Sequence, residues 1–314
     1  MIQETGTGKY ERLLERCRGL EAIPTAVAWP CDESSLAGAV DAGKDGLITA
    51  ILVGPAAKLA EIAKAKGIAL GSTQVVDVPT SQAAAARAVE LVRTGKAELV
   101  MKGSLHSDEI LSAVIAKETG LRTGRRLSHV FLMDVPTYHK VLIVTDGAIN
   151  IAPTLEDKVD ICQNAIDLAR SFGIERPKVA ILAAVETVNS KMPATLDAAA
   201  LCKMAERGQI KGGLLDGPLA FDNAISREAA KTKGIVSEVA GDPDILLAPD
   251  LEAGNMVAKQ LSFLARADSA GLVLGARVPV ILTSRADSVR SRIASCAVAM
   301  LAAHARRNAP AQAG

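Results

Sequence analysis

The sequence contains few aromatic residues and almost no net charge. Of 314 residues, one is Trp, two are Tyr and four are Phe, too few for the stacked aromatic platforms that bind single-stranded nucleic acid. Lys and Arg total 36 and Asp and Glu total 35, for a formal net charge of +1. This balance provides no general field for a nucleic acid or an anionic membrane. We expect neither partner, so any anion is bound locally.

Cysteine pairs and long apolar runs are also missing. None of the five cysteines belongs to a C-x-x-C pair or has a histidine at metal-ligand spacing, so they are interpreted as reduced. The N-terminus carries charges throughout and lacks the apolar run of a secretory signal. The longest apolar stretch near the C-terminus, residues 293–303, is well short of the roughly 20 residues that span a bilayer. These features favour a cytoplasmic location without a membrane segment.

Two nucleotide-binding signatures are absent or incomplete. No G-x-G-x-x-G follows a predicted strand, which counts against a nicotinamide dinucleotide site of the usual kind. The segment Gly6-Thr7-Gly8-Lys9 resembles the end of a P-loop, but Tyr10 stands where Ser or Thr is required and no strand precedes it. The histidines show no ligand spacing either, so they are interpreted as surface or packing residues.

Short apolar runs alternate with longer amphipathic segments, which predicts an α/β fold built around a mainly parallel sheet. The length and a hydrophobic content of 49% are sufficient for two domains with a cleft between them. Thr154 and Asp157 have the spacing of a capping box, which predicts a helix from Thr154 to Phe172. The predicted strands are 47–53, 98–101, 128–133, 140–145, 178–184, 212–215, 244–248 and 278–283.

Polar residues follow six of the predicted strands. In open α/β sheets, ligands bind beyond the carboxyl ends of the strands, so these residues are candidates for one shared site. Each also has a structural explanation, because Asp-Gly-Pro and Thr-Asp-Gly segments are ordinary turns and strand exits. The six segments are Lys102-Gly103-Ser104, Thr145-Asp146-Gly147, Glu186-Thr187, Asp216-Gly217-Pro218, Pro249-Asp250 and Ser284-Arg285.

The last of these segments has two interpretations. Ser284 and Asp287 fit the S-x-x-D capping-box pattern, so Ser284 is a candidate cap for the helix that carries residues 293–303. A helix start also presents free backbone N–H groups that bind phosphate. Arg285 would add a guanidinium fork that matches phosphate oxygens.

Four segments, in order along the chain, carry a family resemblance. They are 145–150 with 153–154, 216–219 with 221–222, 249–251 with 254–255, and 279 through 284–285. Together they resemble the phosphate acetyltransferases and phosphate butyryltransferases over most of the chain. Segments 101–103, 185–189 and 191–195 are more similar to the butyryl branch than to the acetyl branch.

The resemblance implies reversible transfer of a short acyl group between CoA and inorganic phosphate. It implies two α/β/α domains with a cleft between them, related to isocitrate and isopropylmalate dehydrogenases. The first domain would comprise 1–133 plus 273–314 and the second 134–272, with the chain crossing near 134–139 and returning near Gly271. The resemblance also implies a homodimer, CoA or acyl-CoA as a substrate, no permanently bound cofactor and no catalytic metal.

The resemblance assigns the catalytic roles to Ser284 and Arg285. Ser284 would donate to the tetrahedral oxyanion, and Arg285 would hold the phosphoryl group. The acetyl branch has its base aspartate where this chain has Ser291. Asp287 would share a helical face with Ser291 if the helix starts near Ser284, so Asp287 is the substitute candidate, with a capping role as the alternative. Gly147 stands where the acetyl branch has a cysteine, so no thiol is expected to be essential.

Candidate phosphate-binding or CoA-binding residues complete the predicted site. Arg125 and Arg126 precede a predicted strand, and a solvated basic pair is the alternative interpretation for them. The full set is Lys102, Ser104, Arg125, Arg126, Thr145, Asp146, Asn150, Asp216, Asp222, Asp250 and Asn255.

Two other functions stay open at this point. A metal- and NAD-dependent hydroxyacid dehydrogenase on the related fold would use Asp146, Asp216 and Asp250 as oxygen ligands of Mg²⁺. A non-catalytic module would bind acyl-CoA or phosphate without turnover. Release of CoA on addition of phosphate, if it resists a chelator, would distinguish an acyltransferase from both of these alternatives.

Overall fold

Strands and helices alternate along the chain in the computed structural model, which describes residues 8–284 and 287–308. The strands are β1 (Ile23–Ala28), β2 (Ile48–Val53), β3 (Gln74–Val76), β4 (Leu99–Lys102), β5 (Ser128–Asp134), β6 (Leu142–Thr145), β7 (Lys178–Leu182), β8 (Leu214–Leu219), β9 (Ile245–Leu247), β10 (Asp268–Leu274) and β11 (Val280–Ile281). The helices are α1 (Lys9–Cys17), α2 (Glu33–Lys44), α3 (Ala56–Lys66), α4 (Ser81–Arg93), α5 (Ser107–Ile115), α6 (Leu155–Ser171), α7 (Pro193–Glu206), α8 (Phe221–Ile225), α9 (Arg227–Thr232), α10 (Leu251–Phe263) and α11 (Val289–Asn308).

The chain divides into two compact units. The middle unit comprises Arg126–Ser269 and the described residues up to Lys9, and the terminal unit comprises Tyr10–Arg125 and the described residues from Ala270 onward. The segment 134–139, predicted as a crossing, instead connects β5 to β6, which pair antiparallel within the middle unit. The chain therefore enters the middle unit before β5.

The terminal unit contains a mixed sheet with the strand order β3-β2-β1-β4-β11-β10. Neighbouring strands run parallel from β3 to β11, and β10 pairs antiparallel with β11. Almost every residue of β1 and β4 is buried. Such continuous apolar burial is typical of strands covered by helices on both faces. Parallel strands place their carboxyl ends at one edge of the sheet, which brings the predicted exit segments of this unit together.

The middle unit has the strand order β5-β6-β9-β7-β8, in which β5 is antiparallel and the other strands are parallel. Its core takes buried side chains from several strands, among them Met133, Val144, Leu182 and Leu246. The predicted capping box of α6 is confirmed, because Thr154 Oγ1 accepts the Asp157 N–H at 3.2 Å and Asp157 Oδ2 accepts the Thr154 N–H at 3.0 Å. Both units therefore have the α/β architecture that the sequence predicts.

Several elements differ from the prediction. Strands β1, β3 and β10 were not predicted, and the Asp216-Gly217-Pro218 segment lies inside β8 rather than beyond its end. The final helix begins at Val289, well after Ser284. Its start is fixed by Ser288, whose Oγ accepts the Ser291 N–H at 3.1 Å in the manner of an N-cap. Within the described ranges, no helix combines the length and the apolar character that crossing a membrane requires.

Candidate active site

In the terminal unit, the exits of β4 and β11 lie side by side. The two strands pair in parallel, with Val280 opposite Val100 and Ile281 opposite Met101. The chain therefore leaves the sheet at Lys102-Gly103-Ser104 and at Thr283-Ser284 along the same edge. Two of the six predicted segments are thus neighbours.

Lys102 is buried, with only 3% of its surface exposed. Its Nζ contacts the Thr283 carbonyl oxygen at 3.5 Å and the Gly103 carbonyl oxygen at 3.4 Å. A carbonyl oxygen is an acceptor for an ammonium group that burial has removed from water. Lys102 therefore places a positive charge next to the segment that carries Ser284.

Ser104 connects the exit of β4 to the exit of β1. Its Oγ donates to the Trp29 carbonyl oxygen at 2.9 Å and accepts the Cys31 N–H at 3.2 Å. Gly103 allows this close approach, because a Cβ at this position would lie 2.5 Å from both the Ala28 and the Trp29 carbonyl oxygens. In this structure the contacts of Ser104 hold the main chain at the strand exits.

Two hydrogen bonds join Ser284 and Asp287 before α11. Asp287 Oδ2 accepts the Ser284 N–H at 2.6 Å, and the Asp287 N–H donates to the Ser284 carbonyl oxygen at 3.1 Å. The predicted contact between the two residues is present, but the prediction that Ser284 caps the final helix is wrong. Because α11 starts at Val289, Asp287 and Ser291 do not share a helical face. Arg285 lies outside the described residues.

Arg292 is a residue of this site that the sequence did not indicate. It lies in the first turns of α11 with 1% of its surface exposed. Its guanidinium donates to Ser34 Oγ at 3.0 Å, Thr283 Oγ1 at 2.6 Å and the Ser284 carbonyl oxygen at 3.0 Å. Burial lowers the pKa of Arg292, and the nearby charges of Asp32 and Asp287 oppose that shift. The only sequence signal is an arginine immediately before an apolar run.

In the middle unit, Asp146 organises the exit of β6. It is 3% exposed, and its two carboxylate oxygens accept the main-chain N–H groups of Ala148, Ile149 and Asn150 at 2.9 to 3.2 Å. Asn150 Nδ2 donates to Asp146 Oδ2 at 2.5 Å. The carboxylate therefore holds the following loop closed around itself.

Three further candidates surround this loop. Arg126 donates from Nε to Asn150 Oδ1 at 2.8 Å and pairs with Asp157 at 3.1 Å. Asn255 Nδ2 donates to the Gly147 carbonyl oxygen at 2.9 Å, which ties α10 to the loop. Thr145 is fully buried, and its Oγ1 donates to the His129 carbonyl oxygen at 2.9 Å. Arg126, Thr145, Asp146, Asn150 and Asn255 are thus brought together within one unit.

The other acidic candidates of the middle unit lie in separate local structures. Asp250 is the N-cap of α10 and accepts the Ala253 N–H at 2.8 Å. Asp216 accepts the Gly217 N–H within β8 at 2.9 Å. Asp222 and Glu186 both pair with Lys233, at 3.4 Å and 3.1 Å. The hydrogen bond from Lys233 lowers the pKa of Glu186, and the Asn223 N–H lowers the pKa of Asp222.

One hydrogen bond of Arg125 is made to a nearby residue in sequence. Its N–H donates to Thr123 Oγ1 at 3.1 Å, and its side chain is half-buried in the terminal unit. Arg125 and Arg126 are therefore placed in different units, although they are neighbours in sequence.

Comparison with known proteins decides which family these residues belong to. The family model described as phosphate acetyl/butaryl transferase matches residues 81–300. The phosphate acetyltransferase of Rhizobium meliloti is 62% identical over 301 residues, which is 96% of this chain and 95% of that protein. This chain belongs to the phosphate acetyl/butyryl transferase family.

Two further relatives carry names with other acyl groups. The phosphate butyryltransferase of Clostridium acetobutylicum is 44% identical, over 94% of this chain and 98% of that protein. A solved branched-chain phosphotransacylase from Enterococcus faecalis V583 aligns with a TM-score of 0.79 and 31% identity, over 90% of this chain and 99% of that chain. The relatives named here include enzymes with acetyl, butyryl and branched-chain names.

Membership of the phosphate acetyl/butyryl transferase family replaces the dehydrogenase alternative. Each of the three aspartates proposed as Mg²⁺ ligands has an oxygen engaged by a main-chain N–H group, Asp146 in its loop, Asp216 by Gly217 and Asp250 at the start of α10. Among the described residues, no three His, Cys, Asp or Glu side chains gather in a way that could hold a metal ion.

The cysteines of this family member are all free thiols. Burial raises the pKa of Cys17 to about 11 and that of Cys202 and Cys296 to about 12, and it raises the pKa of Cys162 further. The thiolate is the nucleophilic form of cysteine, and these four thiols are almost entirely protonated near neutral pH. Burial also raises the pKa of the half-buried Cys31.

Proposed function

We propose that this chain is a phosphate acyltransferase, which converts acyl-CoA and inorganic phosphate reversibly into acyl phosphate and CoA. The family match over residues 81–300 carries the proposal. CoA is a substrate of this reaction, so no permanently bound cofactor is required. The two α/β units also support a fold related to isocitrate and isopropylmalate dehydrogenases. In this proposal the protein works as a homodimer.

The reacting groups are proposed to gather at Ser284. A free thiol has a pKa of about 8.5, so the thiol of CoA is largely protonated at neutral pH and benefits from a carboxylate base. Asp287 accepts that proton, and the sulfur attacks the carbonyl carbon of the acyl phosphate. Ser284 Oγ–H donates to the tetrahedral oxyanion, the carbon–oxygen bond to phosphate breaks, and phosphate leaves on Arg285. The reverse sequence forms acyl phosphate and releases CoA.

Two contacts support this assignment. The hydrogen bond of 2.6 Å between the Ser284 N–H and Asp287 holds the proposed base beside the proposed oxyanion donor. Lys102 and Arg292 add two buried positive charges next to the same segment. Positive charge in a low-dielectric environment stabilises an anion more strongly than it would in water.

The remaining candidates are proposed to bind substrate or to shape the loops that do. Lys102, Ser104 and Arg125 belong to the terminal unit, and the others belong to the middle unit. Most of them are engaged with the main chain at strand exits, so we propose that they act mainly by fixing these loops. The set in the middle unit is Arg126, Thr145, Asp146, Asn150, Asp216, Asp222, Asp250 and Asn255.

The length of the acyl group is a finer proposal. The relative at 62% identity is named an acetyltransferase, and the one at 44% is named a butyryltransferase. We therefore propose acetyl-CoA as one substrate, while the preference for butyryl groups indicated by the sequence stays a prediction. Assays with acyl groups of two to five carbons measure it.

The test is phosphate-dependent release of CoA from acetyl-CoA or butyryl-CoA, with and without a chelator. We expect chelator-resistant release by the parent chain. Arg285→Ala should reduce kcat/KM by roughly 10² to 10⁴, the scale of losing a charged contact to the transition state. Arg18→Ala is the control, because the Arg18 side chain is 76% exposed and forms an exposed ion pair with Glu15 on α1. Ligand binding without turnover by the parent would support the non-catalytic module, and near-normal rates for Arg285→Ala would remove the phosphate-binding assignment.

A further inference from the structure

Arg292 is the most deeply buried charged side chain near Ser284. Removing a guanidinium from water is costly unless its donors find acceptors. The structure provides three acceptors, one on α2 and two on the segment that follows β11. They are Ser34 Oγ, Thr283 Oγ1 and the Ser284 carbonyl oxygen.

All three acceptors are neutral oxygens. The nearby carboxylates, Asp32 and Asp287, affect the pKa of Arg292 less than burial does. Arg292 therefore does not function chiefly as one half of an ion pair. Two of its three hydrogen bonds are made to consecutive residues of one segment, Thr283 and Ser284.

Thr283 and Ser284 lie outside the strands and helices. β11 ends at Ile281 and α11 begins at Val289, so Ser284 lies in the connection between them. Arg292 and Lys102 hold Thr283 through different atoms, its hydroxyl and its carbonyl oxygen. The main chain at Thr283 and Ser284 is thus held by side chains, the buried Arg292 and Lys102 and the partly exposed Asp287.

The packing of α2 makes room for Arg292. A Cβ at Gly38 would lie 2.7 Å from Arg292 Cδ and 3.2 Å from Arg292 Cβ. Glycine at this position lets the arginine stem pass between the two helices. The path of the side chain is therefore set by α2 as well as by α11.

We propose that Arg292 is a positioning residue for acyl transfer, which holds Thr283 and Ser284 so that the Ser284 hydroxyl meets the oxyanion. This inference rests on the proposed function of Ser284. Arg292 itself is directed at the main chain and does not contact the reacting atoms. Removing a group that orients a reacting side chain typically lowers activity by about 10-fold to 100-fold.

The test compares Arg292→Met, Arg292→Lys and Arg307→Met in the full chain. Arg307 is the control because it lies near the other end of α11 and bonds Glu98 and Glu21. We expect Arg292→Met to lower kcat about 10-fold to 100-fold with the KM for acyl-CoA nearly unchanged. The kcat of Arg292→Lys should lie between those of the parent and Arg292→Met, because a lysine keeps the charge but not the guanidinium fork. Arg307→Met should keep kcat within about twofold, since exposed ion pairs contribute little.

Amide hydrogen exchange provides a readout that does not depend on turnover. We expect Arg292→Met to lose amide protection over residues 282–284, with the rest of the described chain unchanged, and Arg307→Met to keep it. Parent-like kcat or parent-like protection in Arg292→Met would overturn the inference. The inference would also be overturned if Arg292→Met lost kcat and Tm in parallel and Arg292→Lys restored neither. If the parent shows no acyl transfer, the proposed function fails, and exchange over residues 282–284 alone decides whether Arg292 positions Thr283 and Ser284.

Discussion

At the scale of single residues, the chemistry depends on how Asp287 is held beside Ser284. Its carboxylate accepts the Ser284 N–H at 2.6 Å, and an amide oxygen can accept the same bond. Asp287→Asn therefore preserves this hydrogen bond while removing the base. We expect kcat to fall about 10² to 10⁴-fold and the acidic limb of the pH–rate profile to flatten, because that limb reports protonation of an essential base. Steady-state kinetics across pH measures both effects.

Ser288→Ala is the matched control for Asp287→Asn. Ser288 Oγ accepts the Ser291 N–H at the start of α11, so its loss should cost about 1 kcal/mol of stability without changing the pH profile. A parent-like profile for Asp287→Asn would leave Asp287 only the structural role of accepting the Ser284 N–H.

The sequence predicts part of this site because its pattern is local. Ser284 and Asp287 were paired by the S-x-x-D spacing, and the contact exists although the helix starts later. Arg292 could not be found in this way, because a single arginine before an apolar run is usually exposed. Its burial depends on Gly38 and Ser34, which are distant in sequence and meet it only in the folded unit.

At the scale of elements, two glycines of α2 provide a matched pair. A Cβ at Gly38 would meet Arg292 Cδ at 2.7 Å, whereas the nearest atom to a Cβ at Gly43 is the Ile48 carbonyl oxygen at 3.6 Å. Gly43→Ala should stabilise the protein by up to about 1 kcal/mol, since alanine favours the helix. In Gly38→Ala, the steric clash with Arg292 should cancel this gain in stability. The clash should also displace Arg292 and lower kcat about 10-fold.

Thermal unfolding and kinetics of both variants measure these effects. Equal kcat values for Gly38→Ala and Gly43→Ala would show that the stem of Arg292 adjusts without moving Ser284.

Two of the three strands that sequence patterns missed, β3 and β10, have physical explanations. β3 is a short strand of three residues that is mostly exposed, and β10 starts with polar residues before its apolar half. The Asp-Gly-Pro segment predicts a turn by composition, but in β8 it pairs with β7, where Asp216 lies opposite Ala180. Tertiary pairing overrides local preference in such strands. The strands that were predicted are the continuous apolar runs, such as β2 and β6.

At the scale of the whole molecule, the chain has two compact units, so its thermal unfolding need not be one transition. Asp242 links several parts of the middle unit. It pairs with Lys140 before β6, Lys178 at the start of β7 and Arg227 on α9, at 3.2, 2.7 and 3.1 Å. Burial alone would raise the pKa of Asp242, but the hydrogen bonds from Lys178 and Lys140 outweigh it and hold the pKa well below its ordinary value.

Asp242→Asn tests this linkage. The folded state favours the ionised carboxylate, so its contribution is fully present above the pKa of an unfolded Asp, about 3.9, and is lost as the pH falls through the lower pKa of the folded state. At pH 7 we expect the variant to lower the free energy of unfolding of the middle unit by about 1 to 3 kcal/mol. The difference from the parent should shrink as the pH falls below about 4.

Calorimetry at neutral and acidic pH measures this dependence, with Asp41→Asn as the control. Asp41 forms an exposed ion pair with Lys44 on the surface of α2 in the terminal unit, so its loss should change stability by at most about 0.5 kcal/mol. Because Asp242 belongs to the middle unit, its substitution should lower the unfolding temperature of that unit more than that of the terminal unit. A deficit in Asp242→Asn that stays constant down to pH 3 would mean that side-chain packing, and not the charge of the carboxylate, connects these elements.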